Sequence, residues 1–432
     1  MIQEASRRYE AYKGTDSLWY DKTPCHWISG RLKDFIETNT STYLPKRLAD
    51  TDLIEFIPMT NVNEALGNIK QFDFVPLKDV SSGYTKFRNG DVIFAKITPC
   101  MENGNCAIVT GLKHNVCFGS TEFMVFRASR KLTEKYLHYF LHNDLFRRNA
   151  EPFMKGTAGQ KRISSHYMAT HYFSLPPLPE QKAIANYLDE ETAQIDQKID
   201  LITQKAKHYG QLKQALINET VTCGLDKTIP MKDSGIDWIG VIPAHWDVQR
   251  IGTAFEERSQ KVNDTDYHPL SVSMGGIVPQ MESVAKTDHN ENRKRVAVGD
   301  YVINSRSDRR GASGISVYDG SVSVINIVLA PRRAFFGKYL HHLFRSYRFI
   351  EEFYRVGRGI VDDLWTTRYS VMKTIEFASP SYEEQKVIAD YLDEKTAQID
   401  AIGEAINIQI EKLKELRKTL INDVVTGKIK VV

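Results

Sequence analysis

A segment of seventeen residues occurs twice in this chain. Residues 180–196 read EQKAIANYLDEETAQID and residues 384–400 read EQKVIADYLDEKTAQID, with fourteen positions identical at an offset of 204. The register continues without a gap to Leu216-Ile217-Asn218 and Leu420-Ile421-Asn422. Agreement of that extent marks an internal duplication, so the fold has to build one architecture twice. A fainter echo precedes each copy. Trp19, Pro24, His26 and Trp27 are matched by Trp238, Pro243, His245 and Trp246 at an offset of 219. Asn89-Gly90-Asp91-Val92-Ile93 resembles Val298-Gly299-Asp300-Tyr301-Val302. The order is therefore variable block, repeated segment, variable block, repeated segment. The two offsets differ by 15 residues, so the blocks have diverged in length as well as in sequence.

Both repeated segments have helical character. Pro176, Pro177 and Pro179 bar a helix from entering earlier and place the first start at Glu180. From there to 222 the only glycine is Gly210, and the second copy, about 382 to 426, contains only Gly403. Leu188, Ile195, Ile202, Tyr209 and Leu216 recur every seven residues, as do Leu392, Ile399, Ile406, Leu413 and Leu420. A second stripe is supplied by Ile184, Ile199 and Leu212, and by Ile388, Ile402, Ile410 and Leu416. This is a coiled-coil seam of about four heptads per copy. Gly224 and Gly427 stand where C-terminal caps belong. A helix of this extent is about 60–65 Å long at 1.5 Å per residue. A single amphipathic rod of that length leaves its seam wet, whereas two matching seams can bury each other. The chain must return from the first helix to the second through a whole domain, so an antiparallel pair is expected. The alternative is that each helix packs only on its own domain.

The variable blocks, roughly 16–178 and 234–380, are mixed. Short strands are expected at Asp91–Lys96, Ala107–Val109, Glu122–Arg127, Asp300–Asn304 and Val322–Leu329, and helices at about 132–149 and 337–355. The expected fold class is α/β (α+β): two domains separated by two long antiparallel coiled-coil helices. The expected boundaries are 1–178 and 226–379 for the two domains, with helices at 179–225 and 380–432.

Each block carries loops suited to nucleic acid. In the first, Lys96-Ile97-Thr98-Pro99-Cys100-Met101-Glu102-Asn103-Gly104 follows a strand, and Lys155-Gly156-Thr157-Ala158-Gly159-Gln160-Lys161-Arg162 comes later. Small residues let the backbone approach a phosphate. Lys96, Thr98, Asn103, Lys155, Thr157, Gln160, Lys161 and Arg162 can donate to phosphates or base edges. In the second block the matching places hold Arg306-Ser307-Asp308-Arg309-Arg310-Gly311 and Arg355-Val356-Gly357-Arg358-Gly359. The donors there are Arg306, Arg309, Arg310, Arg355 and Arg358, with Arg293-Lys294-Arg295 and Arg332-Arg333 adding charge. One such cluster is ordinarily a solvated face. Recurrence at matching places in two duplicated blocks argues for a shared binding role.

Composition narrows the classes. Lys+Arg is 57 against Asp+Glu 54, a net charge of only +3, so any nucleic-acid surface must gather its cations locally. The five cysteines form no CxxC pair, and Cys100, Cys106 and Cys117 near His114 match no zinc spacing. They fit reduced cysteines of a cytoplasmic protein. The opening MIQEASRRYE has no apolar core of a secretory signal, and no run of 18 apolar residues suggests a membrane span. No phosphate-cradling GxxxxGK(S/T), GxGxxG, HExxH, GxSxG or amino-methyltransferase Asn/Asp-Pro-Pro-aromatic motif is present. Asp362-Asp363 is a candidate metal pair without an evident third ligand, and a solvated charge pair is the simpler account. Catalysis and a metal are thus not expected of this chain. A scaffold binding only protein is the other non-enzymatic class left open.

The sequence also resembles the specificity subunits of type I restriction-modification systems over nearly its whole length. Leu175-Pro176-Pro177-Leu178-Pro179-Glu180-Gln181-Lys182 is similar to that family's junction between recognition domain and helix. Gly90–Gly104 and Gly119-Ser120-Thr121-Glu122-Phe123 resemble motifs of its recognition domains. The second junction, Ser379-Pro380-Ser381-Tyr382-Glu383-Glu384-Gln385-Lys386, has fewer prolines, and the second block lacks the Ile-Thr-Pro-Cys-Met-Glu-Asn-Gly stretch. The resemblance implies a bipartite DNA site, with one half read by each domain and the helices setting the spacer. It also implies double-stranded DNA, two methyltransferase subunits and restriction/translocase subunits as partners, with no membrane. S-adenosylmethionine, ATP and magnesium would belong to those partner subunits and no cofactor to this chain.

Overall fold

The computed structural model describes residues 8–17, 19–38, 42–45, 48–157, 159–280, 292–359 and 365–431. Ala158 and the Asp362-Asp363 pair lie outside the described residues. The chain divides into two compact units: residues 1–201 with 408–432, and residues 202–407. Each unit takes one part of each long helix, Leu178–Cys223 and Tyr382–Val425.

In the first unit, Cys106–Ile108, Asp91–Ala95, Phe123–Ala128 and Ile36–Thr38 form an antiparallel sheet in that order. A second sheet runs Asp73–Pro76, Leu53–Ile57, Cys117–Gly119, Thr85–Phe87, with the middle pair parallel. Strand Asp91–Ala95 is buried throughout, and Val92 and Phe94 face the main core while Ile93 faces the smaller one. That is the period-two alternation of a strand covered on both sides.

The second unit repeats the first sheet. Ser313–Ile315, Tyr301–Asn304, Asn326–Pro331 and Phe255–Glu257 follow the same antiparallel order. The Gly-Asp echo has a local cause. Asp91 accepts from Arg88 N at 2.9 Å and is gripped in a fork by Arg127; Asp300 accepts from Ala297 N at 2.8 Å and is gripped by Arg258. Both carboxylates are buried, and buried charges persist when paired and hydrogen-bonded.

Three expectations are corrected. Val322–Leu329 is two strands, Gly320–Ser323 and Asn326–Pro331, because a turn at Val324-Ile325 carries the chain from one sheet to the other. The stretch 132–149 is two helices, Glu134–His142 and Asp144–Ala150, and 337–355 is Gly337–Phe344 and Tyr347–Arg355. At each break a short polar side chain caps the next helix: Asn143 accepts from Phe146 N and Ser346 from Phe349 N. Such side chains compete with helical hydrogen bonds and so start helices rather than continue them. The first long helix begins at Leu178, not Glu180. Pro179 sits in its first turn, where the missing N–H costs nothing.

Both long helices end at glycines with left-handed backbone, Gly224 at φ 66° and Gly427 at φ 77°. In the first unit the helices run antiparallel. Ile184 and Leu188 share a core with Ile421, Val424 and Val425, and Arg417 pairs with Asp196 at 3.1 Å. In the second unit Val221 shares a core with Ile388 and Leu392, and Lys213 pairs with Asp400 at 2.6 Å. Leu188 and Leu392 are fully buried, and Ile195 and Ile406 nearly so. Ile202, Tyr209, Leu216, Ile399, Leu413 and Leu420 are half-buried. The second stripe is not buried throughout: Leu212, Ile402 and Leu416 are exposed. Two helices cover one seam between them, and apolar positions off that seam stay at the surface.

Candidate nucleic-acid interface

The two basic loops of the first unit lie together. Thr98 N donates to Lys161 O at 2.9 Å, and Ile163 N donates to Lys96 O at 2.9 Å. Lys155 and Arg162 exchange backbone hydrogen bonds at 3.0 and 2.8 Å, and Ile97 forms a bridge with Arg162. Gly156, at φ 136°, lets the loop turn; an added Cβ would lie 2.7 Å from Gln160 O.

The second unit repeats the arrangement with different side chains. Ser307 N donates to Trp365 O at 3.0 Å, and Thr367 N to Ser305 O at 3.0 Å. Arg358 and Thr366 exchange two bonds of 3.1 Å, and Arg306 bridges Thr366. By these contacts Lys96 corresponds to Ser305, Ile97 to Arg306, Lys155 to Arg358 and Arg162 to Thr366. The backbone frame is duplicated and its chemistry is not.

The predicted donors divide into free and engaged groups. Lys155, Lys161, Arg306, Arg309 and Arg358 are exposed and form no side-chain ion pair among the described residues. Thr157 and Gln160 are exposed in the turn that carries Lys161, and Lys96 is half-buried beside it. Others are held in place. Asn103 donates to Glu64 at 3.0 Å, and the Thr98 hydroxyl to Lys161 O at 3.3 Å. Arg355 is held by Glu352, and Arg310 pairs with Glu351 at 3.0 Å while lying over the Tyr354 ring. Arg310, Glu351 and Tyr354 line an open cleft of about 690 Å³ with Ser307, Asp308 and Trp365.

Arg162 is held most completely. Its Nε and Nη2 donate to the two Glu122 oxygens at 2.9 and 2.8 Å. The hydrogen bonds from Arg162, with the nearby Arg162 and Lys96 charges, hold the Glu122 carboxyl below its ordinary range. The roles of Glu122, Glu351 and Glu352 were not read from the sequence, because single carboxylates carry no spacing signal. Gly119-Ser120-Thr121-Glu122-Phe123 was the available cue.

A second set of contacts fastens each block to its long helix. Trp27 and His26 bind the Glu180 carboxylate at 3.0 and 2.7 Å; Trp246 and His245 bind Glu384 at 3.0 and 2.8 Å. The adjacent glutamines repeat as well: Gln181 accepts from Thr133 N at 2.8 Å and Gln385 from Phe336 N at 2.9 Å. The cysteines take no part. Burial pushes the Cys106 and Cys117 thiols above their ordinary range, which disfavours the thiolate a metal needs.

Two mixed domains, each fastened to a long helix by the same Trp-His-Glu clasp, define a duplicated modular protein. Residues 24–207 match the family model described as "Type I restriction modification DNA specificity domain". The Escherichia coli "Type I restriction enzyme EcoAI specificity subunit" is 40% identical over 136 residues, 31% of this chain and 23% of that subunit. The chain thus spans about a quarter of that relative's length. The "Putative type I restriction enzyme MjaX specificity subunit" of Methanocaldococcus jannaschii is 23% identical over 94% of this chain and 95% of its own length. Among solved structures, the HsdS subunit from Thermoanaerobacter tengcongensis aligns with TM-score 0.57 and 20% identity over 95% of this chain and 99% of that one. A chain from a study of type I R-M complex assembly and conformational transition aligns with TM-score 0.72 and 19% identity, over 95% of this chain and all of that one. The family model and these curated relatives are alike type I restriction-modification specificity proteins, and that is what this chain is similar to.

Proposed function

We propose that each unit binds one half of a bipartite double-stranded DNA site and that the paired helices set the unread spacer. The observation that carries this reading is the duplicated loop frame. Two different sequences are knitted by the same backbone contacts, and both expose cations there. A frame kept constant while its side chains change suits a reader that must recognise two different sequences. In this reading Lys96, Lys155, Lys161, Arg306, Arg309 and Arg358 contribute the salt-dependent attraction to phosphates. Thr98, Asn103, Thr157, Gln160, Arg162, Arg310 and Arg355 position the loops or face base edges.

The chain itself performs no chemistry in this proposal. Two methyltransferase subunits dock on the helical region and modify adenine with S-adenosylmethionine, for which the base must leave the stack. Restriction/translocase subunits supply ATP- and magnesium-dependent cleavage. The complex works in the cytoplasm, and no described helix is long and apolar enough to cross a membrane.

Methylome sequencing of cells with and without this chain tests the proposal. A two-part methylated motif that depends on the chain is expected. Inserting about four residues, one helical turn, near Thr203 should lengthen the spacer of that motif. An unchanged spacer sinks the ruler role, and a chain that shifts no DNA even with its partners favours a protein-only scaffold.

A further inference from the structure

We propose that Arg162 reads a guanine in the major groove and that Glu122 is the residue that aims it. This rests on the reading of the chain as a DNA specificity subunit. A guanidinium has three edges to present. The Nε–Nη2 edge of Arg162 is filled by both Glu122 oxygens. The Nη1 side donates to Gln160 O at 3.3 Å. Of the five guanidinium N–H groups these bonds use three, which leaves one hydrogen on each Nη. Two parallel donors at that spacing match the O6 and N7 acceptors that guanine alone presents side by side in the major groove.

A phosphate could also accept such a fork, and charge decides between them. The Glu122 carboxylate lies against the guanidinium and offsets its charge, so the pair has little net attraction for an anion. The donor geometry is untouched, and a neutral base edge needs only geometry. The frame is rigid enough for such aim. Glu122 O accepts from Lys96 N, and Glu122 N donates to Ser120 Oγ at 3.2 Å. Arg162 sits between bridges to Ile97 and Lys155. The neighbouring Lys155 and Lys161, exposed and without carboxylate partners among the described residues, are left to meet the phosphates. At the corresponding place the second unit has Thr366, so the two half-sites differ here.

The test uses the full chain assembled with its methyltransferase subunits and DNA of the motif found by methylome sequencing. Guanines in the first unit's half-site are replaced one at a time by 7-deazaguanine, which lacks the N7 acceptor. One position is expected to weaken binding by about threefold to tenfold, because one of the two bonds of a bidentate base contact is lost. In the Arg162→Ala complex the same replacement should cost nothing, and in the Glu122→Gln complex it should cost less than in the parent. The variants' methylomes should show that one G·C pair degenerate, with the other half-site and the spacer unchanged. The inference is overturned if no guanine in this half-site responds in the parent complex, which needs no variant to fold. It is also overturned if the response survives in Arg162→Ala, or if Glu122→Gln leaves it untouched. A parent chain that yields no two-part motif instead defeats the DNA-specificity reading beneath it.

Discussion

The indole N–H of Trp27 donates to the Glu180 carboxylate at 3.0 Å across 153 residues of sequence, and Trp246 makes the same bond to Glu384. Each bond joins the entry of a variable block to the first turn of the helix that leaves it. Trp27→Phe keeps the ring packing and removes the donor to a carboxylate that is 9% exposed. Leaving a buried charge one hydrogen bond short costs about 1–3 kcal/mol. The melting temperature should fall by about 2–10 °C, and Trp246→Phe should behave alike. Unaltered melting in both variants would show that the clasp is geometric only.

The helix pair makes a contrast that mutation can read. Leu188 and Leu392 are fully buried, whereas Leu212 and Leu416 are 53% and 54% exposed. Leu188→Ala or Leu392→Ala should destabilise by about 2–5 kcal/mol through the cavity left behind. Leu212→Ala and Leu416→Ala should stay within about 0.5 kcal/mol. Thermal unfolding of the four variants side by side is sufficient, and equal effects would contradict the observed seam.

Burial lowers His138 and His171 from the usual 6.5 to about 4, His142 to about 3 and His341 to about 4. These side chains are neutral when folded and charge more readily when unfolded. Their effect is absent above about pH 6.5, and stability falls as pH drops from there toward 4. Melting temperatures should hold steady above pH 7 and decline between pH 6 and 4. His138→Met should make that decline shallower, by on the order of 2 kcal/mol at pH 4. An identical decline in the variant would assign the acid sensitivity elsewhere.

Lys161 is exposed at the loop tip without an ion-pair partner among the described residues. As a phosphate contact, Lys161→Ala should weaken every DNA sequence alike and lower the slope of log affinity against log salt by about one. Titrations at several salt concentrations check this. An unaltered slope would remove Lys161 from the phosphate path.

How much was readable in advance depended on duplication. The repeat from Glu180 and Glu384 showed the long helices, and the seven-residue spacing picked out Leu188, Ile195, Leu392 and Ile406, which are buried, along with six positions that are half-buried. The Trp-Pro-His-Trp echo marked a shared role without revealing that the role was to hold Glu180 and Glu384. The loops at Lys96 and Lys155 were each visible, and backbone pairing across some 60 residues brings them together. The splits at Asn143 and Ser346 escaped because the apolar pattern continues across them. Only the cap geometry shows the break. Asn103 and Arg162 looked like free donors, since the carboxylates of Glu64 and Glu122 that hold them are distant in sequence.

The antiparallel helices also impose an order of assembly. Ile421, Val424 and Val425 belong to the core that holds Trp27 and Tyr136, and the Tyr136 hydroxyl donates to Val425 O at 3.0 Å. On the ribosome the first unit therefore begins forming before the second and is completed after it. Until residues 408–425 emerge, the apolar flank around Ile184 and Leu188 waits uncovered. A nonsense codon far downstream would damage the first unit as surely as a lesion inside it.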